Sequence, residues 1–388
     1  MSLKLKREIL RLYKKRYYLS QHRTEKTKII SDFCFDTGYS RKYAIKILTG
    51  KVTPHKASKP GPKSKYQSSS FIIHLQIIWE AMNRMCSKKM VEALPLWLDY
   101  YKGASAEERE LFLKVSSSTI DRLLKPYKSS SVNVRGLSST RPSLIKNKIP
   151  IKLLDENVTE PGFIEADTVV HCGGSLLGEY ANSLTMTDLC SGWTENRACW
   201  TKSADSVKAK IKSIEKSLPF KIKGFASDNG TEFITHDLHE YFMMRDEPVE
   251  FVRRRAYKKN DNAHVEQKNW THVRELFGYE RFEDPELVGL MNEIYQAYWN
   301  PLWNYFTPVM KLVEKTRVGA KYKKKYDRPQ TPYQRLLANE ALTSVQKRDL
   351  KHRFEGHNPF YLKEQLDIKL KIFFNKVEAY KKEKLATG

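Results

Sequence analysis

Three acidic residues near the middle of the 388-residue chain have types and positions that suit a divalent metal site: Asp167, Asp228 and Glu266. Asp167 lies within an apolar run that predicts a strand, and Asp228 follows a second such run. Carboxylates without histidine or cysteine ligands favour Mg²⁺ or Mn²⁺ over Zn²⁺. Two such ions, held by shared carboxylates, would support in-line attack on a phosphodiester. These residues therefore predict a carboxylate site for two metal ions.

Asp228 belongs to the heptad Ser-Asp-Asn-Gly-Thr-Glu-Phe, residues 227–233. The run 222–226 before it predicts a short buried strand, and residues 231–244 predict a helix that opens on Thr-Glu. This arrangement places Asp228 at the carboxyl edge of a sheet. Because Asp-Asn-Gly is also a common turn, the heptad alone is equally compatible with a turn that binds nothing.

Glu266 lies on a helix predicted from about residue 260 to residue 277, in the middle of its apolar face. An ionised carboxylate at a buried position is costly unless it is paired or binds a cation. Two alternatives remain open: a salt bridge to an arginine such as Arg253 or Arg254, or a metal shared with the two aspartates. The sequence favours the metal, because neighbouring parallel strands bring their carboxyl ends together.

Polar and basic residues adjoin these carboxylates in the sequence. Asn229 could orient Asp228. Asn262, one turn before Glu266, could contact DNA or hold the helix, and His171 could act likewise. All three are equally compatible with ordinary polar residues at turns or helix ends. The basic residues before the predicted helix are expected to meet phosphates, with a solvated loop as the alternative: Arg253, Arg254, Arg255, Lys258 and Lys259.

These residues fall within a region, 161–300, where predicted strands and helices alternate. The predicted order is β-β-β-α-β-α-β-α, with the first strand at 163–170 and the first helix at 203–218. Such an order describes a mixed sheet with helices packed on it.

Charge is distributed unevenly along the chain, whose net charge is +24. Residues 1–150 carry +20 and residues 301–388 carry +11, whereas residues 151–300 carry −7. Basic arms around an acidic centre favour a protein that grips a polyanion and gathers carboxylates around cations. Double-stranded DNA is the leading expected partner.

Residues 1–56 predict a helix-turn-helix DNA-binding domain of three helices. Gly38 permits the turn into the third helix, and Ser40 is expected to cap it. An ordinary helical hairpin with a solvated basic face is the alternative. Three residues of the third helix are then free to reach DNA: Arg41, Lys42 and Lys46.

A linker rich in Pro, Gly and Lys follows at residues 57–70 and includes Lys63 and Lys65. It resembles the short basic arms that lie in a DNA minor groove, and it is equally compatible with a plain interdomain linker.

Residues 71–127 predict a second helical DNA-binding domain, whose recognition helix at 115–124 carries Arg122. Residues 128–160 are then an extended basic connector to the sheet region.

Residues 301–388 predict a small basic module. A helix is expected at 340–354 and a strand at 366–374. A loop at 321–326 is expected to grip phosphates through three consecutive lysines: Lys323, Lys324 and Lys325.

Five cysteines show no close pairing, so neither a disulfide framework nor a zinc ribbon is predicted. No run of 18 apolar residues predicts a membrane span, and the amino terminus has no apolar signal segment. We expect a cytoplasmic protein that does not bind membranes.

Three motifs resemble the Asp, Asp, Glu triad of the retroviral-integrase-like DDE transposases of bacterial insertion sequences: IEADTV around Asp167, SDNGTEF around Asp228 and KNDNAHVEQKN around Glu266. The resemblance covers residues 160–300 and, more loosely, the amino-terminal region. The 37 residues between Asp228 and Glu266 slightly exceed the family's usual spacing. The His/Cys zinc module of retroviral integrases is absent, and the predicted helix-turn-helix takes its place.

The expected fold is α+β and multidomain, with helical helix-turn-helix modules, an RNase H-like mixed-sheet catalytic core and a small basic carboxy-terminal module. The resemblance implies a DNA transposase that cleaves insertion-sequence ends and joins them to target DNA. It implies two Mg²⁺ ions per site, a homodimer or larger assembly on DNA, and a location at the bacterial nucleoid. The residues alone imply only a carboxylate two-metal site beside DNA-binding arms. An RNase H-like nuclease that only hydrolyses, or a DNA-binding regulator with an inactive core, is the alternative.

Overall fold

The computed structural model describes residues 3–51, 65–128, 158–227, 230–253, 267–319 and 321–387. The chain divides into two compact units, Met1–Gln67 and Ser68–Gly388. Within the described residues, no helix is both long enough and apolar enough to cross a bilayer.

The first unit contains three helices: α1 Leu3–Leu19, α2 Arg23–Thr37 and α3 Arg41–Leu48. They pack around Phe33 and Leu48, which are fully buried. Gly38 ends α2 with φ of +70°, a conformation that glycine adopts without strain, and its N–H donates to the Cys34 carbonyl over 2.8 Å. Ser40 occupies the N-cap position of α3, but its side chain makes no capping hydrogen bond. The helices and the glycine turn are confirmed, and their use as a DNA-binding helix-turn-helix stays a prediction.

The second unit begins with four helices and a 3₁₀ turn: α4 Ser69–Ala81, α5 Ser87–Leu98, α6 Ala106–Lys114, α7 Ser117–Leu124 and the turn Lys125–Tyr127. Ser68, Ser105 and Ser116 cap α4, α6 and α7 through side-chain hydrogen bonds. The indole N–H of Trp97 on α5 donates to the Phe306 carbonyl over 3.0 Å. This bond ties the four helices to a later segment of the same unit.

A mixed five-stranded sheet forms the centre of the second unit: β1 Phe163–Val170, β2 Asn182–Asp188, β3 Thr194–Cys199, β4 Gly224–Ser227 and β5 Glu250–Arg253. Its strand order is β3-β2-β1-β4-β5. β1, β2 and β3 are antiparallel neighbours, whereas β4 and β5 run parallel to β1. The parallel connections are made by α8, Ala204–Ser217, and α9, His236–Met243. The predicted α+β class with a mixed sheet is confirmed.

Two helices interrupted by π-helical turns follow the sheet. The first, α10, joins a π-helical segment, Asn269–Arg274, to a short α segment, Glu275–Phe277. The second, α11, runs through Leu287–Glu293, a π-helical segment Ile294–Trp299, and Asn300–Phe306.

Three asparagines of α11 cover the open edge of β3. They lie eight and four positions apart, hence on one helix face, and they meet every second residue of the strand. Each accepts a hydrogen bond from one backbone N–H and donates to the carbonyl of the same residue: Asn292 with Ala198, Asn300 with Asn196 and Asn304 with Thr194. An edge strand otherwise offers unpaired backbone groups to other chains, so this contact closes the sheet on that side.

The carboxy-terminal part contains an antiparallel hairpin and three helices: β6 Leu312–Val318, β7 Lys321–Tyr326, α12 Pro332–Ala338, α13 Ser344–Glu355 and α14 Pro359–Thr387. The strand predicted at 366–374 is wrong, because this stretch lies inside α14. Its alternating apolar residues suggested a strand, but the buried residues Leu366, Phe373 and Val377 have helical spacing. The loop predicted at 321–326 is also wrong, since these residues form β7.

The predicted domain boundaries at residues 127, 160 and 300 fall within the second unit, and separate domains there stay a prediction. Most of the predicted linker, 57–70, and connector, 128–160, lies outside the described residues.

Candidate active site

Asp167 lies on β1 where the neighbouring strand β4 ends. Within the described part of the chain, its half-buried carboxylate accepts a hydrogen bond at Oδ2 from Nδ2 of Asn269 over 2.6 Å and another at Oδ1 from the backbone N–H of Thr168 over 2.8 Å. Asn269 is the first residue of the π-helical segment of α10. Its amide therefore ties this helix to the strand that carries the predicted catalytic aspartate.

The pairing of β1 with β4 brings two sequence positions side by side. Ala166 pairs with Ser227 in parallel register, and both residues are buried. Each is followed in the sequence by an aspartate, Asp167 in one strand and Asp228 in the other. Asp228 and Asn229 lie outside the described residues, so the predicted position of Asp228 stays a prediction.

The third predicted carboxylate, Glu266, also lies outside the described residues. The described chain resumes at Gln267 in helical conformation, and Asn269, which contacts Asp167, follows Glu266 by three positions. Arg253 is the last residue of β5. Five further predicted site residues lie in the part that the structure does not describe: Arg254, Arg255, Lys258, Lys259 and Asn262.

Glu232 makes a second buried polar contact with β1 that the sequence analysis did not single out. Its Oε1 accepts a hydrogen bond from the Thr168 hydroxyl over 2.7 Å and lies 2.7 Å from the Lys202 ammonium. Successive strand residues point to opposite faces, so this contact lies across β1 from the Asp167 side chain. Glu232 thereby holds the segment that follows the Asn-Gly pair. The sequence signal that could have identified Glu232 is its position in the heptad 227–233.

A group of hydrogen-bond donors lies beside Asn269. The Nζ atoms of Lys268 and Lys89 are 5.3 and 6.0 Å from the centre of the Trp303 ring, and the His272 ring lies 4.4 Å from the same ring. His272 is fully buried. Among the described residues, neither of its ring nitrogens has a hydrogen-bond partner, and the Trp303 N–H has none. We call Lys89, Lys268, His272 and Trp303 the donor cluster.

Burial lowers the pKa of both lysines in the donor cluster. The pKa of Lys268 falls to about 7 through burial and the nearby charge of Lys89, and burial lowers the pKa of Lys89 as well. Two ammonium groups and unpaired N–H donors make this region favourable for an anion. The sequence did not indicate it, because its members come from three separate segments.

His171, named with the asparagines as a polar residue near the site, is a core residue. It is fully buried, its Nε2 lies 2.8 Å from the Ser183 hydroxyl, and its ring stacks on Phe282 with centroids 4.9 Å apart. Burial, with the charge of Arg274, lowers the pKa of His171 to about 3. It is therefore neutral near pH 7 and contributes to packing.

The predicted DNA-contacting side chains that the structure describes are exposed: Arg41, Lys42, Lys46, Lys65, Arg122, Lys323, Lys324 and Lys325. Arg41 also donates to the Ser31 hydroxyl over 2.9 Å. Lys63 lies outside the described residues. Because the three consecutive lysines belong to β7, the middle one, Lys324, points away from its two neighbours. Contact of these residues with DNA stays a prediction.

Among the described residues, one group of metal-ligand types has ligand atoms within 4.8 Å of one another: His236, Asp237 and Glu240 on α9. All three are exposed, and exposed acidic groups commonly gather without an ion. We assign this group no function.

The described fold and site define an α+β protein in which a helix reaches a half-buried aspartate beside two parallel strands. No protein-family model matches the chain. The chain is similar to the uncharacterized protein y4rM of Sinorhizobium fredii, with 32% identity over 329 residues that cover 82% of this chain and 91% of that protein. It belongs to the same family as that protein. The similarity establishes the family and gives no activity.

Proposed function

We propose that the protein is a DDE-type DNA transposase that cleaves and joins DNA ends, with Asp167, Asp228 and Glu266 as its catalytic carboxylates. The observation that carries the proposal is the 2.6 Å hydrogen bond from Asn269 to Asp167. It brings the chain just after Glu266 to the strand of the first aspartate, as a shared site requires.

The sheet supports an RNase H-like core. Three antiparallel strands followed by two parallel strands, each reached through a helix, agree with such a core. The pairing of Ala166 with Ser227 adds to this support, because the residue before each aspartate lies beside the other. Carboxylates on neighbouring strands are well placed to share cations.

The donor set fits Mg²⁺ or Mn²⁺, two ions per site held by Asp167, Asp228 and Glu266. Asp167 is a half-buried carboxylate, and the hydrogen bonds from Asn269 and Thr168 are compatible with cation binding, because each carboxylate oxygen has two lone pairs. When bound, the ions would activate the attacking hydroxyl group and stabilise the leaving oxygen of a phosphodiester.

The residues around the carboxylates have positioning and charge-neutralising roles in this proposal. Asn269 orients Asp167, and Glu232 holds the segment after the heptad on β1. Lys89 and Lys268, whose Nζ atoms lie 6.0 and 5.3 Å from the Trp303 ring centre, would neutralise a DNA phosphate in this proposal. A bound phosphate would favour the charged form of each lysine.

Exposed basic residues on α3, α7 and β7 would hold the DNA, and the first unit would act as a helix-turn-helix domain. We also propose a homodimer or a larger assembly on DNA, in which separate subunits would bind the two ends that are joined. The protein would act at the bacterial nucleoid.

Cleavage and joining of labelled duplexes that carry the ends of the protein's own element test this function. With Mg²⁺, wild-type protein is expected to cut the ends and join a pre-cut 3′ end to a second duplex. Asp228→Asn and Glu266→Gln should abolish both reactions and keep DNA binding. Asp246→Asn, which changes an exposed aspartate in the turn after α9, is the matched control and should stay active.

Two outcomes would overturn the proposal in different ways. Hydrolysis without any joined product identifies an RNase H-like nuclease. Specific DNA binding without metal-dependent cleavage by the wild-type protein identifies a regulator with an inactive core.

A further inference from the structure

The β6–β7 hairpin is exposed on both of its faces. Every residue of β6 and of β7 is exposed, including the large apolar side chains of Val313, Val318 and Tyr322. A two-stranded hairpin is marginally stable by itself in water. We therefore expect a partner outside the described fold to cover at least one of its two exposed faces.

The hairpin is strongly basic. Its two strands contain one acidic residue, Glu314, and six basic residues: Lys315, Arg317, Lys321, Lys323, Lys324 and Lys325. Like charges directly across a strand pair are destabilising, yet Lys315 lies opposite Lys324. A polyanionic partner would offset that repulsion.

The strand register divides these charges between two different faces. Directly opposite residues share a face, and each strand alternates. We name the face of Lys315, Arg317, Tyr322 and Lys324 the arginine face. The Nζ of Lys315 lies 4.7 Å from the centre of the Tyr322 ring, as a shared face requires.

The second face differs in charge and chemistry, and we name it the glutamate face. It carries three lysines, but Glu314 lies among them opposite Lys325 and accepts a hydrogen bond from Thr316 over 2.8 Å. The arginine face has no acidic residue, and it holds the only arginine of the two strands. It is therefore the face better suited to an anionic partner.

We propose that the hairpin lies in the major groove of duplex DNA with its arginine face toward the base edges. This inference rests on the proposed function, which makes DNA the substrate. The major groove, about 12 Å wide, admits a two-stranded β-ribbon, whose strands lie about 5 Å apart. Arg317, whose Nε donates to the Gly319 carbonyl over 3.2 Å, would pair with a guanine edge through its two terminal amino groups, while Lys315 and Lys324 would reach flanking phosphates or bases.

The shape of the hairpin selects DNA over other polyanions. The major groove of an A-form RNA duplex is deep and narrow and does not admit such a ribbon. An anionic membrane or an acidic protein surface would attract either basic face by charge alone. A difference between the two faces is therefore the signature of groove binding.

Two triple variants of the full-length protein, each removing three positive charges, test the proposal. Lys315→Gln, Arg317→Gln and Lys324→Gln together alter the arginine face; Lys321→Gln, Lys323→Gln and Lys325→Gln alter the glutamate face. Affinity for a labelled 30-base-pair duplex is measured at several salt concentrations. The arginine-face variant should bind about 10-fold more weakly or worse, and the glutamate-face variant less than about threefold more weakly. All six side chains are exposed, so both variants should melt at the wild-type temperature.

Two comparisons define the partner. An RNA duplex of the same sequence should bind more weakly than DNA and should not distinguish the two triple variants. Arg317→Lys keeps the charge and should lose preference among DNA sequences while keeping most affinity for random DNA.

Equal weakening by both triple variants, or no weakening by either, would overturn the inference. So would anionic phospholipid vesicles that distinguish the two variants as DNA does. The measurement is made on binding, so it is separable from chemistry. A face-dependent loss in a protein that never cleaves DNA refutes the proposed function alone, whereas active cleavage with equal effects of both variants refutes the hairpin proposal alone.

Discussion

Asparagine side chains are hydrogen-bonded more completely at the β3 edge of the sheet than beside its central strand, β1. At the β3 edge, each of the three asparagines of α11 bonds through both its amide oxygen and its amide nitrogen. Beside β1, Asn269 donates to Asp167, but its own Oδ1 has no hydrogen-bond partner in the part of the chain that the structure describes. Within the same described residues, the ring nitrogens of His272 and the N–H of Trp303 also have none.

This difference separates a structural contact from a candidate binding region. A buried donor or acceptor without a partner costs about 1 to 3 kcal/mol, so most folds satisfy such groups internally. The three asparagines of α11 follow that rule at the β3 edge, although the Oδ1 of Asn196 on β3 is itself buried without a partner among the described residues. The region around Asn269 departs from it next to the predicted carboxylates, where a ligand with acceptor oxygens would pair the N–H groups of Trp303 and His272, and a ligand hydroxyl or water would pair the Asn269 Oδ1.

The largest effect that we expect is from Asp167→Asn. The change removes a negative charge from the proposed metal site and keeps the shape of the side chain. DNA cleavage should fall on the order of 10³-fold or more, because removal of one member of a catalytic set typically costs that much. Gel-based cleavage assays measure the loss, and thermal melting checks the fold. If the variant cleaves DNA at a rate within threefold of the wild-type rate, Asp167 has a structural role and not a catalytic one.

The next effect concerns acid stability. Unfolded histidine binds a proton below about pH 6.5, whereas folded His171, with a pKa of about 3, does not. The unfolded state therefore binds more protons between pH 6.5 and pH 3, and the free energy of unfolding falls as the pH falls through this window. The loss from His171 alone is about 3 kcal/mol at pH 4.5. His272, whose pKa burial also lowers, adds a loss of the same sign.

Urea denaturation at pH 7 and pH 4.5 measures this dependence. His171→Gln cannot titrate, and its amide can still bond the Ser183 hydroxyl. Its stability should change less with pH than that of the wild type, by about 1.4 kcal/mol per pH unit. Identical pH dependence of the two proteins would contradict the assignment of a neutral, buried His171.

Local patterns in the sequence predicted the elements of the sheet well. The predicted first strand, 163–170, has the bounds of β1, and the predicted helix 203–218 differs from α8 by one residue at each end. These elements follow from apolar periodicity, which is a property of the local sequence. The helix predicted from residue 231 is an instructive error, because α9 begins only at His236. The Thr-Glu pair suggested a helix start, but Glu232 is instead held by Thr168 and Lys202.

The features that the sequence could not predict depend on contacts between distant segments of the chain. The sequence pointed to Asp167 as a carboxylate at a strand, but its partner Asn269 became visible only through the fold. The donor cluster joins α5, α10 and α11, and no local pattern relates a lysine on one helix to a tryptophan on another. The asparagines on α11 likewise looked like ordinary polar positions until their spacing matched that of β3.

The β3 edge should lose stability when one of its asparagines is removed. Asn304→Ala leaves the backbone N–H and carbonyl of Thr194 buried and unpaired, so we expect a loss of about 2 kcal/mol in the free energy of unfolding. Asn375→Ala, which changes an exposed asparagine of α14, is the matched control and should change stability by less than about 0.5 kcal/mol. Chemical denaturation compares the two. Equal effects would show that the contact contributes nothing beyond packing.

The smallest effect that we expect is the most informative test of this difference, because it compares the same substitution at two buried histidines. His171→Phe removes one of the two partners of the Ser183 hydroxyl, the other being the Tyr295 hydroxyl, and should destabilise the protein. His272→Phe removes two ring nitrogens that have no partner, so its stability should stay within about 1 kcal/mol of wild type or rise. If His272 belongs to a binding region, its variant should nevertheless bind DNA more weakly, while His171→Phe should bind normally at temperatures where it is folded. A His272→Phe protein that is strongly destabilised and binds DNA as the wild type does would instead make His272 a core residue. The donor cluster would then be part of the packing and not a site for phosphate.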